Sequence, residues 1–514
     1  MYASTLIPNL PANLASLDLT DEQAHVISRL REISAMHPAS RPSCILRARA
    51  GASKTTMLCL IASLIPPAHA FHEPPIFLAF NKAIAEELST RLPSSCRAST
   101  FHSLGYNVLR RMFKTKTDMR KYQNILEELV GDFPYEQRAN VLRVIERLRN
   151  AAIPLDEITA AVPSIIEELD LLDEDLPDVS PSDYHQILLM GASRKDTCDF
   201  TDMLWLPFIH GLRSRASNFI LVDESQDTNK LQVALLSLFG GPETCYIFVG
   251  DDRQAIYGFR GALSNAMTRI ADTFHIDSDN ILPLSTTFRC AQAICAEAQQ
   301  LVPDLRAKPS APIGHVITCT SPLLDFPPDT LIVCRNNAPI ARVAMQLLRA
   351  RESFCVLSDF FPRLAKFAEA RVKSKRDSIE TFVAKLLLWQ EEKLSSLPES
   401  RHEGILERTT TLRELCEELG PDKTVEDLLA LLARICNSTG SVRLATIHKS
   451  KGLEATNVFF LNPELLPSKY AITPEAKTQE ANLRYVAITR AKHLLVYWSP
   501  RKGEEVESAR SLIQ

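Results

Sequence analysis

Glycine, paired cysteines and basic charge are scarce in this chain. Only 16 of its 514 residues are glycine, so a glycine inside a motif is informative. The twelve cysteines are scattered without a Cys-x-x-Cys pair, which argues against a zinc or iron–sulfur site and favours reduced thiols in a cytosolic setting. A formal net charge of −4 gives no global basic field, so a nucleic-acid partner would have to bind a local groove.

Long apolar segments are also missing. No apolar run reaches the length that spans a bilayer, and the first residues lack the basic and apolar regions of a signal peptide. We therefore expect no membrane partner and a cytoplasmic location in a bacterium or phage host, or a nuclear or mitochondrial one in a eukaryote. The hydrophobic content of 45% and charged content of 23% are those of an ordinary globular protein.

Short apolar runs alternate with amphipathic patterns along the chain, which predicts an α/β fold with parallel sheets. The length allows two to four domains. In two stretches of the chain the sequence pattern becomes mainly helical. Two sheet cores, each with a helical insertion, therefore describe the pattern best. The predicted strands are 44–48, 76–80, 219–222, 246–249, 315–320, 330–334, 354–357, 441–446 and 457–461.

The positions where the sequence pattern changes between α/β and mainly helical predict the boundaries of the cores and insertions. The first core comprises 1–104 and 199–272, with a helical insertion at 105–198. The second core comprises 273–360 and 441–514, with a small helical insertion at 361–440.

Carboxylates follow two of the predicted buried strands. The run ILV leads directly into Asp223 and Glu224, and the run YIFV leads into Gly250, Asp251 and Asp252, with Gln254 close behind. The carboxyl ends of parallel strands form the edge where open α/β folds bind ligands. These side chains suit a magnesium nucleotide: one carboxylate would hold the metal, another would activate water, and the amide would lie near the terminal phosphate.

A second motif, RARAGASKTT at 47–56, lies between a predicted strand and a predicted helix, where a phosphate-binding loop would lie. Lys54 would reach the outer phosphates and Thr55 would bind Mg²⁺. The consensus has glycine at the positions of Ala48 and Ser53. We expect Ser53 to be tolerated only if it keeps a negative φ. The alternative is a surface turn with a chance Lys-Thr pair.

The order of motifs resembles the UvrD/Rep/PcrA-type branch of superfamily 1 helicases, in the style of F-box DNA helicases and some phage helicases. The similar segments are LTDEQ, the 47–56 loop, FLAFNKAIAEEL, STFHSL, DFTDML, the two carboxylate motifs, LSTTFRC, TIHKSKGLE and LRYVAITRA. The resemblance covers nearly the whole chain. It implies two RecA-like P-loop cores that bind ATP and Mg²⁺.

The resemblance also implies a role for each matching residue. Asp223 and Thr55 would hold Mg²⁺, Glu224 would be the general base, and Gln254 would contact the γ-phosphate. Arg289 and Arg490 would be arginine fingers from the second core. The remaining residues implied to bind ATP, including Glu454 at the ribose and Gln23 and Phe288 at adenine, are Gln23, Ala50, Gly51, Ala52, Ser53, Lys54, Thr56, Phe288 and Glu454.

Single-stranded nucleic acid would lie along aromatic and polar side chains on the same motifs. The residues implied to form this track are Phe80, Asn81, Phe101, His102, Tyr257, Phe259, Arg260, Thr446 and His448. Each aromatic residue has core packing as its alternative, above all Phe80 and Phe101. Phe288 has the same alternative, Gln23 could cap a helix, and the two arginines could form ordinary surface ion pairs.

The implied activity is an ATP-dependent DNA helicase or translocase that moves 3′ to 5′ on single-stranded or tailed duplex DNA. Two alternatives remain. One is a translocase that displaces proteins without unwinding, suggested by the small second insertion. The other is a nucleic-acid-binding regulator with weak ATPase, suggested by Arg49 and Ser53, which replace glycines common in the phosphate loop of the family that the chain resembles. RNA as the strand, a monomeric state, and the pathway among repair, replication and defence are left open.

Overall fold

The computed structural model describes residues 2–7, 10, 12–66, 73–79, 81–169, 171, 176–256, 265–372, 374–397, 399, 402–501 and 504–513. The chain divides into two compact units, Met1–Ser285 and Thr286–Gln514. Both units are α/β and each contains a six-stranded sheet, which confirms the predicted fold class. Within the described ranges, no helix has the length and apolar character needed to cross a bilayer.

The main sheet of unit 1 is parallel throughout. The strands of this unit are β1 (Cys44–Ala48), β2 (Ile76–Ala79), β3 (Arg97–Thr100), β4 (Lys116–Thr117), β5 (Thr197–Cys198), β6 (Phe219–Val222), β7 (Cys245–Gly250) and β8 (Ile281–Leu284). The sheet order is β3-β2-β6-β7-β1-β8, and β4 pairs with β5 separately. The strands that end in the phosphate loop and in the two carboxylate motifs, β1, β6 and β7, are thus neighbours.

The predicted boundary between the cores, at 272/273, lies too early. Strand β8 pairs in parallel with β1 and belongs to unit 1, which ends at Ser285. The side-chain oxygens of Glu22 accept hydrogen bonds from the backbone N–H and the hydroxyl of Ser285, both at 2.6 Å. These bonds attach the end of β8 to the helix that carries Glu22.

Helices cover both faces of the unit 1 sheet. They are α1 (Ala3–Leu6), α2 (Ala12–Ala15), α3 (Asp21–Ala35), α4 (Lys54–Leu64), α5 (Lys82–Arg91), α6 (Phe101–Phe113), α7 (Lys121–Leu129), α8 (Tyr135–Asn150), α9 (Ile158–Glu168), α10 (Pro181–Ser193), α11 (Asp202–Ile209), α12 (Lys230–Phe239) and α13 (Ala266–Thr273). Alternate residues of β6 belong to different clusters: Ile220 and Val222 pack with the helical insertion, whereas Phe219 and Leu221 pack with α3 and α4. Burial on both faces explains why these strands are uninterrupted apolar runs.

A buried charged network links the helical insertion of unit 1 to α11. Asp202 is fully buried and accepts hydrogen bonds from Lys121 Nζ at 2.6 Å, Tyr122 Oη at 2.9 Å and Arg149 Nη1 at 2.9 Å. Arg149 also binds both oxygens of Asp199, at 2.7 and 2.8 Å. Because each charge has a partner, the network fixes the insertion against the residues that precede β6.

Unit 2 repeats the parallel architecture. Its strands are β9 (Thr286–Thr287), β10 (Arg306–Ala307), β11 (His315–Cys319), β12 (Leu323–Leu324), β13 (Thr330–Cys334), β14 (Phe354–Val356), β15 (Val442–Thr446), β16 (Ala455–Leu461), β17 (Ala491–Trp498) and β18 (Glu507–Ser508). The main sheet has the order β11-β17-β16-β13-β15-β14, with parallel neighbours throughout.

The small insertion of unit 2 packs into the same hydrophobic cluster as the sheet. The helices of this unit are α14 (Gln292–Gln299), α15 (Asn337–Ala350), α16 (Phe360–Glu369), α17 (Ile379–Ser396), α18 (His402–Leu419), α19 (Val425–Cys436), α20 (Ile447–Ser450) and α21 (Pro474–Ile488). Four glutamates of α18 form an acidic stripe that contacts residues on and just before α15. The contacts are Glu403–Arg335, Glu407–Asn337, Glu414–Arg342 and Glu418–Arg349.

Replacing Asp202 by alanine should destabilise unit 1 by about 3–5 kcal/mol, because Lys121 and Arg149 would keep buried charges with a lost partner. Chemical unfolding followed by circular dichroism measures the change. The control is Glu128→Ala, which removes an exposed ion pair with Arg194 and should cost below about 1 kcal/mol. Equal effects of the two variants would contradict the role of the buried network.

Candidate nucleotide site and strand track

The phosphate loop joins the end of β1 to the start of α4. The helix begins at Lys54, and Ser53 is its N-cap residue, with φ 57° and ψ 42°. The expectation that Ser53 keeps a negative φ is therefore wrong: the serine adopts the left-handed conformation that glycine usually supplies. This conformation costs an L-residue about 1–2 kcal/mol. Gly51 also has a positive φ, 74°, while Ala50 and Ala52 are buried.

Lys54 and Glu224 meet at the edge of the sheet. Lys54 Nζ lies 2.7 Å from Glu224 Oε1, and Gln226 Nε2 donates to Glu224 Oε2 at 2.6 Å. Burial acts to lower the pKa of Lys54, but Glu224, Asp223 and Asp251 outweigh it and raise that pKa. Lys54 thus carries a positive charge beside the carboxyl ends of the strands. Both carboxylate oxygens of Glu224 accept hydrogen bonds, one from Lys54 and one from Gln226.

Gln226 connects this pair to the end of β7. Its Oε1 accepts from the backbone N–H of Asp251 at 3.0 Å. Asp251 is fully buried, and its Oδ2 accepts from Gln254 Nε2 at 2.7 Å. A Cβ on Gly250 would lie 2.4 Å from Gln226 Oε1, so a larger residue there would displace the Gln226 amide from this position. The structure therefore brings together Lys54, Glu224 and Gln254, which are far apart in the sequence.

The oxygen donors fit a magnesium ion. Asp223 directly follows β6, and its Oδ1 accepts the N–H of Glu224 at 2.9 Å. Burial, then the charge of Glu224, raises the pKa of Asp223 to about 6, whereas Lys54 opposes the rise. Thr55 supplies a hydroxyl on the first turn of α4, where Thr56 follows it. One carboxylate and one hydroxyl suit Mg²⁺, which keeps waters and phosphate oxygens as its other ligands.

Gln23 lies in the first turn of α3 and is 5% exposed. Its backbone N–H donates to Thr20 Oγ1 at 3.2 Å, and Thr20 N donates to Gln23 Oε1 at 3.0 Å. The alternative that Gln23 caps a helix is thus confirmed for its side-chain oxygen. Recognition of adenine through the amide nitrogen stays a prediction.

In unit 2, Arg289 and Glu454 contact each other. Arg289 Nε donates to Glu454 Oε2 at 2.7 Å, and Lys492 Nζ lies 2.6 Å from Glu454 Oε1. Burial acts to raise the pKa of Glu454, but these two cations lower it overall. Phe288 is 37% exposed, so its ring is not part of the core, and its stacking on adenine stays a prediction.

Arg490 is 1% exposed inside unit 2. Its Nε donates to the carbonyl of Val486 at 3.1 Å and its Nη1 to the carbonyl of Leu453 at 3.0 Å. The surface ion-pair alternative is therefore wrong for this residue. Its role as an arginine finger stays a prediction, as does that of Arg289.

The predicted strand track is described only in part, because Phe80, Tyr257, Phe259 and Arg260 lie outside the described residues. Phe101 is 4% exposed and belongs to the core. It is therefore a packing residue, and the prediction that its ring stacks on a base is wrong for this conformation. Asn81 is exposed and caps α5 by accepting from Ile84 N at 2.9 Å. In unit 2, Thr446 caps α20, on which His448 lies half-buried.

His102 forms a stacked pair with Phe200, with ring centroids 3.8 Å apart and planes inclined by 18°. Phe200 is 55% exposed, so the pair presents an aromatic face to solvent. Burial lowers the pKa of His102 to about 4, so the ring is neutral near pH 7. The sequence analysis quoted DFTDML but did not select Phe200. An aromatic residue between two aspartates of that motif was the available signal.

Two further residues of the site were missed or read differently. Gln226, which joins Glu224 to Asp251, lies two residues after Glu224 but has no chemical role that its position alone reveals. Arg49 was treated only as a departure from glycine, yet it is 6% exposed and forms ion pairs with Asp251, which is buried, and with Asp252, which is half-buried.

The parallel sheets, the phosphate loop and the acidic strand ends define a protein with two RecA-like cores of the P-loop class. The family model described as the UvrD/REP helicase N-terminal domain matches residues 31–275, and that of the UvrD-like helicase C-terminal domain matches residues 208–500. The second match covers more than half of the chain. The chain therefore belongs to the UvrD/Rep helicase family.

Relatives from several bacteria are similar to this chain. The ATP-dependent DNA helicase Rep of Escherichia coli is 26% identical over 286 residues, which cover 50% of this chain and 41% of that protein. The ATP-dependent DNA helicase UvrD2 of Mycobacterium bovis is 23% identical over 557 residues, covering 89% and 76%. The match covers only 34% to 41% of the length of three relatives, Rep of Buchnera aphidicola, Rep of Escherichia coli and the probable DNA helicase II homologue of Mycoplasma pneumoniae.

Replacing Ser53 by glycine should stabilise unit 1 by about 1 kcal/mol, because glycine adopts the left-handed conformation without steric cost. Thermal unfolding measures the effect. Ser53→Ala keeps the Cβ and is the matched control, for which little change is expected. A loss of stability in the glycine variant, as in an ordinary loop, would show that Ser53 is not strained.

Proposed function

We propose that this protein is an ATP-dependent DNA helicase or translocase that moves along single-stranded DNA from 3′ to 5′. The observation that carries the proposal is the contact of Lys54 with Glu224, which lie beyond the carboxyl ends of β1 and β6, the two strands on either side of β7. A lysine at a phosphate loop and a carboxylate held within 2.7 Å of it are the pair needed to bind a triphosphate and to activate water.

In the proposed reaction, the loop N–H groups and Lys54 bind the phosphates, while Thr55 and Asp223 hold Mg²⁺. The metal would neutralise charge on the phosphate oxygens. Glu224 accepts a proton from the attacking water, and Gln226 keeps this carboxylate oriented through its 2.6 Å hydrogen bond. Gln254 contacts the terminal phosphate, and its link to Asp251 places it in the same network.

Unit 2 contributes cations to the same reaction in this proposal. Arg289 and Arg490 approach the transferred phosphoryl group as arginine fingers and stabilise the charge that develops there. Phe288 stacks on adenine, and Glu454 binds the ribose. Arg289 and Glu454 form a 2.7 Å pair with each other, so in this proposal they would exchange partners when nucleotide binds.

The strand lies on exposed aromatic surface. The stacked His102 and Phe200 rings offer a platform of the kind that binds bases without sequence preference. Asn81, Thr446 and His448 add polar contacts. Tyr257, Phe259 and Arg260 complete the proposed track on the strength of the sequence alone, and RNA remains a candidate strand beside DNA.

A second candidate is a translocase that displaces proteins without unwinding duplex. The observation that favours it is the short insertion of unit 2, which the acidic stripe of α18 fixes to α15. Strand displacement measured on duplexes with 3′ or 5′ tails, beside displacement of a protein bound to single-stranded DNA, separates the two candidates.

Lys54→Ala and Glu224→Gln should each reduce ATP turnover on single-stranded DNA. For Glu224→Gln the loss should be about 10²- to 10⁴-fold, because the proton acceptor is removed. Glu32→Gln, which alters an exposed ion pair with Arg29, is the matched control and should turn over normally. ATP turnover that survives both site variants would overturn the assignment, and its absence in the natural protein would favour a regulator with weak ATPase.

Phe200→Ala and His102→Ala should each weaken binding of single-stranded DNA by about 1–3 kcal/mol, or about 5- to 150-fold, because a stacking face is lost. Fluorescence anisotropy with a labelled oligonucleotide measures this. Met119→Ala changes a similarly exposed apolar side chain, 62% against 55%, and serves as control. Burial lowers the pKa of His102 to about 4, so its ring stays neutral between pH 8 and pH 5.5. His102 should therefore not increase the affinity for single-stranded DNA as the pH falls over that range.

A further inference from the structure

Arg49 occupies a phosphate-loop position where the family commonly has glycine. Its side chain is 6% exposed, and its Nη1 lies 3.0 Å from Asp251 Oδ1 and 2.6 Å from Asp252 Oδ1. These aspartates directly follow β7, 202 and 203 residues away in the chain. A loop residue that glycine could replace thus forms a buried ionic contact with the segment carrying Gln254.

The same segment is attached to the other end of the loop. From Asp251, hydrogen bonds pass through Gln226 and Glu224 to Lys54. Arg49 and Lys54, five residues apart, therefore lie at the two ends of one continuous series of hydrogen bonds and ion pairs, in which the backbone N–H of Asp251 takes part. Gln254 branches from it at Asp251, whose two carboxylate oxygens are shared between Arg49 and Gln254.

Stability alone is a poor explanation for this arrangement. Burying an arginine with a carboxylate costs desolvation that the mutual attraction barely offsets. Burial raises the pKa of Asp251, whereas Arg49, the hydrogen bond from Gln254 and Lys54 lower it, and Asp252 adds to the rise. What the pair does provide is a fixed geometry between the loop and the strand end.

We propose that Arg49 is a positioning residue that holds Asp251 and Gln254 against the phosphate loop, so that the rate of ATP hydrolysis depends on it more than ATP affinity does. This inference rests on the proposed ATPase function. Arg49 acts through Asp251 and Gln254. It therefore differs from Lys54, which would contact phosphate directly.

The test compares the natural protein with Arg49→Met, Arg49→Lys, Asp251→Asn and the double variant Arg49→Met/Asp251→Asn. Arg49→Met alone leaves a buried carboxylate without its main cation and lowers stability. The double variant removes both charges and should recover the melting temperature. For each protein, kcat on single-stranded DNA, the Kd of a non-hydrolysable ATP analogue and the melting temperature are measured.

We expect Arg49→Met to lower kcat at least about 10-fold with Kd changed less than about 3-fold, and Arg49→Lys to recover most of the rate. Because the pair acts as a unit, the double variant should keep the low kcat of Arg49→Met although its melting temperature recovers. Recovery of kcat together with the melting temperature, or a loss confined to Kd, would overturn the proposal.

The same series distinguishes the two hypotheses. If the natural protein hydrolyses ATP and Arg49→Met does so equally fast, the Arg49 inference fails and the proposed function stands. If the natural protein does not hydrolyse ATP on any strand, the proposed function fails, and the inference fails with it.

Discussion

The contact between Lys54 and Glu224 is the interaction on which the candidate site depends. Its partners come from the loop after β1 and from the end of β6, two strands that both neighbour β7 in the sheet. The strand order therefore matters for the chemistry, since parallel strands close together in one sheet bring their carboxyl ends to the same edge. Lys54 contacts one carboxylate oxygen of Glu224 and Gln226 donates a hydrogen bond to the other, so both oxygens are held in place.

Two residues of the candidate site, Ser53 and Glu224, have a strained backbone conformation. Ser53, which precedes Lys54, and Glu224 itself have positive φ values of 57° and 49°. Such conformations persist in L-residues only where the surroundings determine them, and they concentrate at functional sites. Here the start of α4 holds Ser53 in this conformation, and the contacts with Lys54 and Gln226 hold Glu224. The energy stored in the backbone is thus balanced by the same contacts that orient the reacting groups.

The sequence was sufficient for the parts of the fold that have a strong local pattern. Strand β6 matches its predicted limits, because it is a continuous apolar run between Asn218 and Asp223. Edge strands β3 and β8 were not predicted: the first is short and half-buried, and the second contains a proline. Site residues on motifs were found, whereas Phe200 and the ion pair of Arg49 depend on exposure and on contacts between distant segments, which a linear pattern does not encode.

The acidic stripe of α18 also sets the register of the second insertion. Its four glutamates are separated by four, seven and four residues, and their partners at 335, 337, 342 and 349 follow in the same order. Sliding α18 by one turn along α15 would separate these glutamates from their partners. Hydrophobic packing thus brings the insertion to the sheet, while the polar contacts of the stripe fix the alignment of α18 along α15.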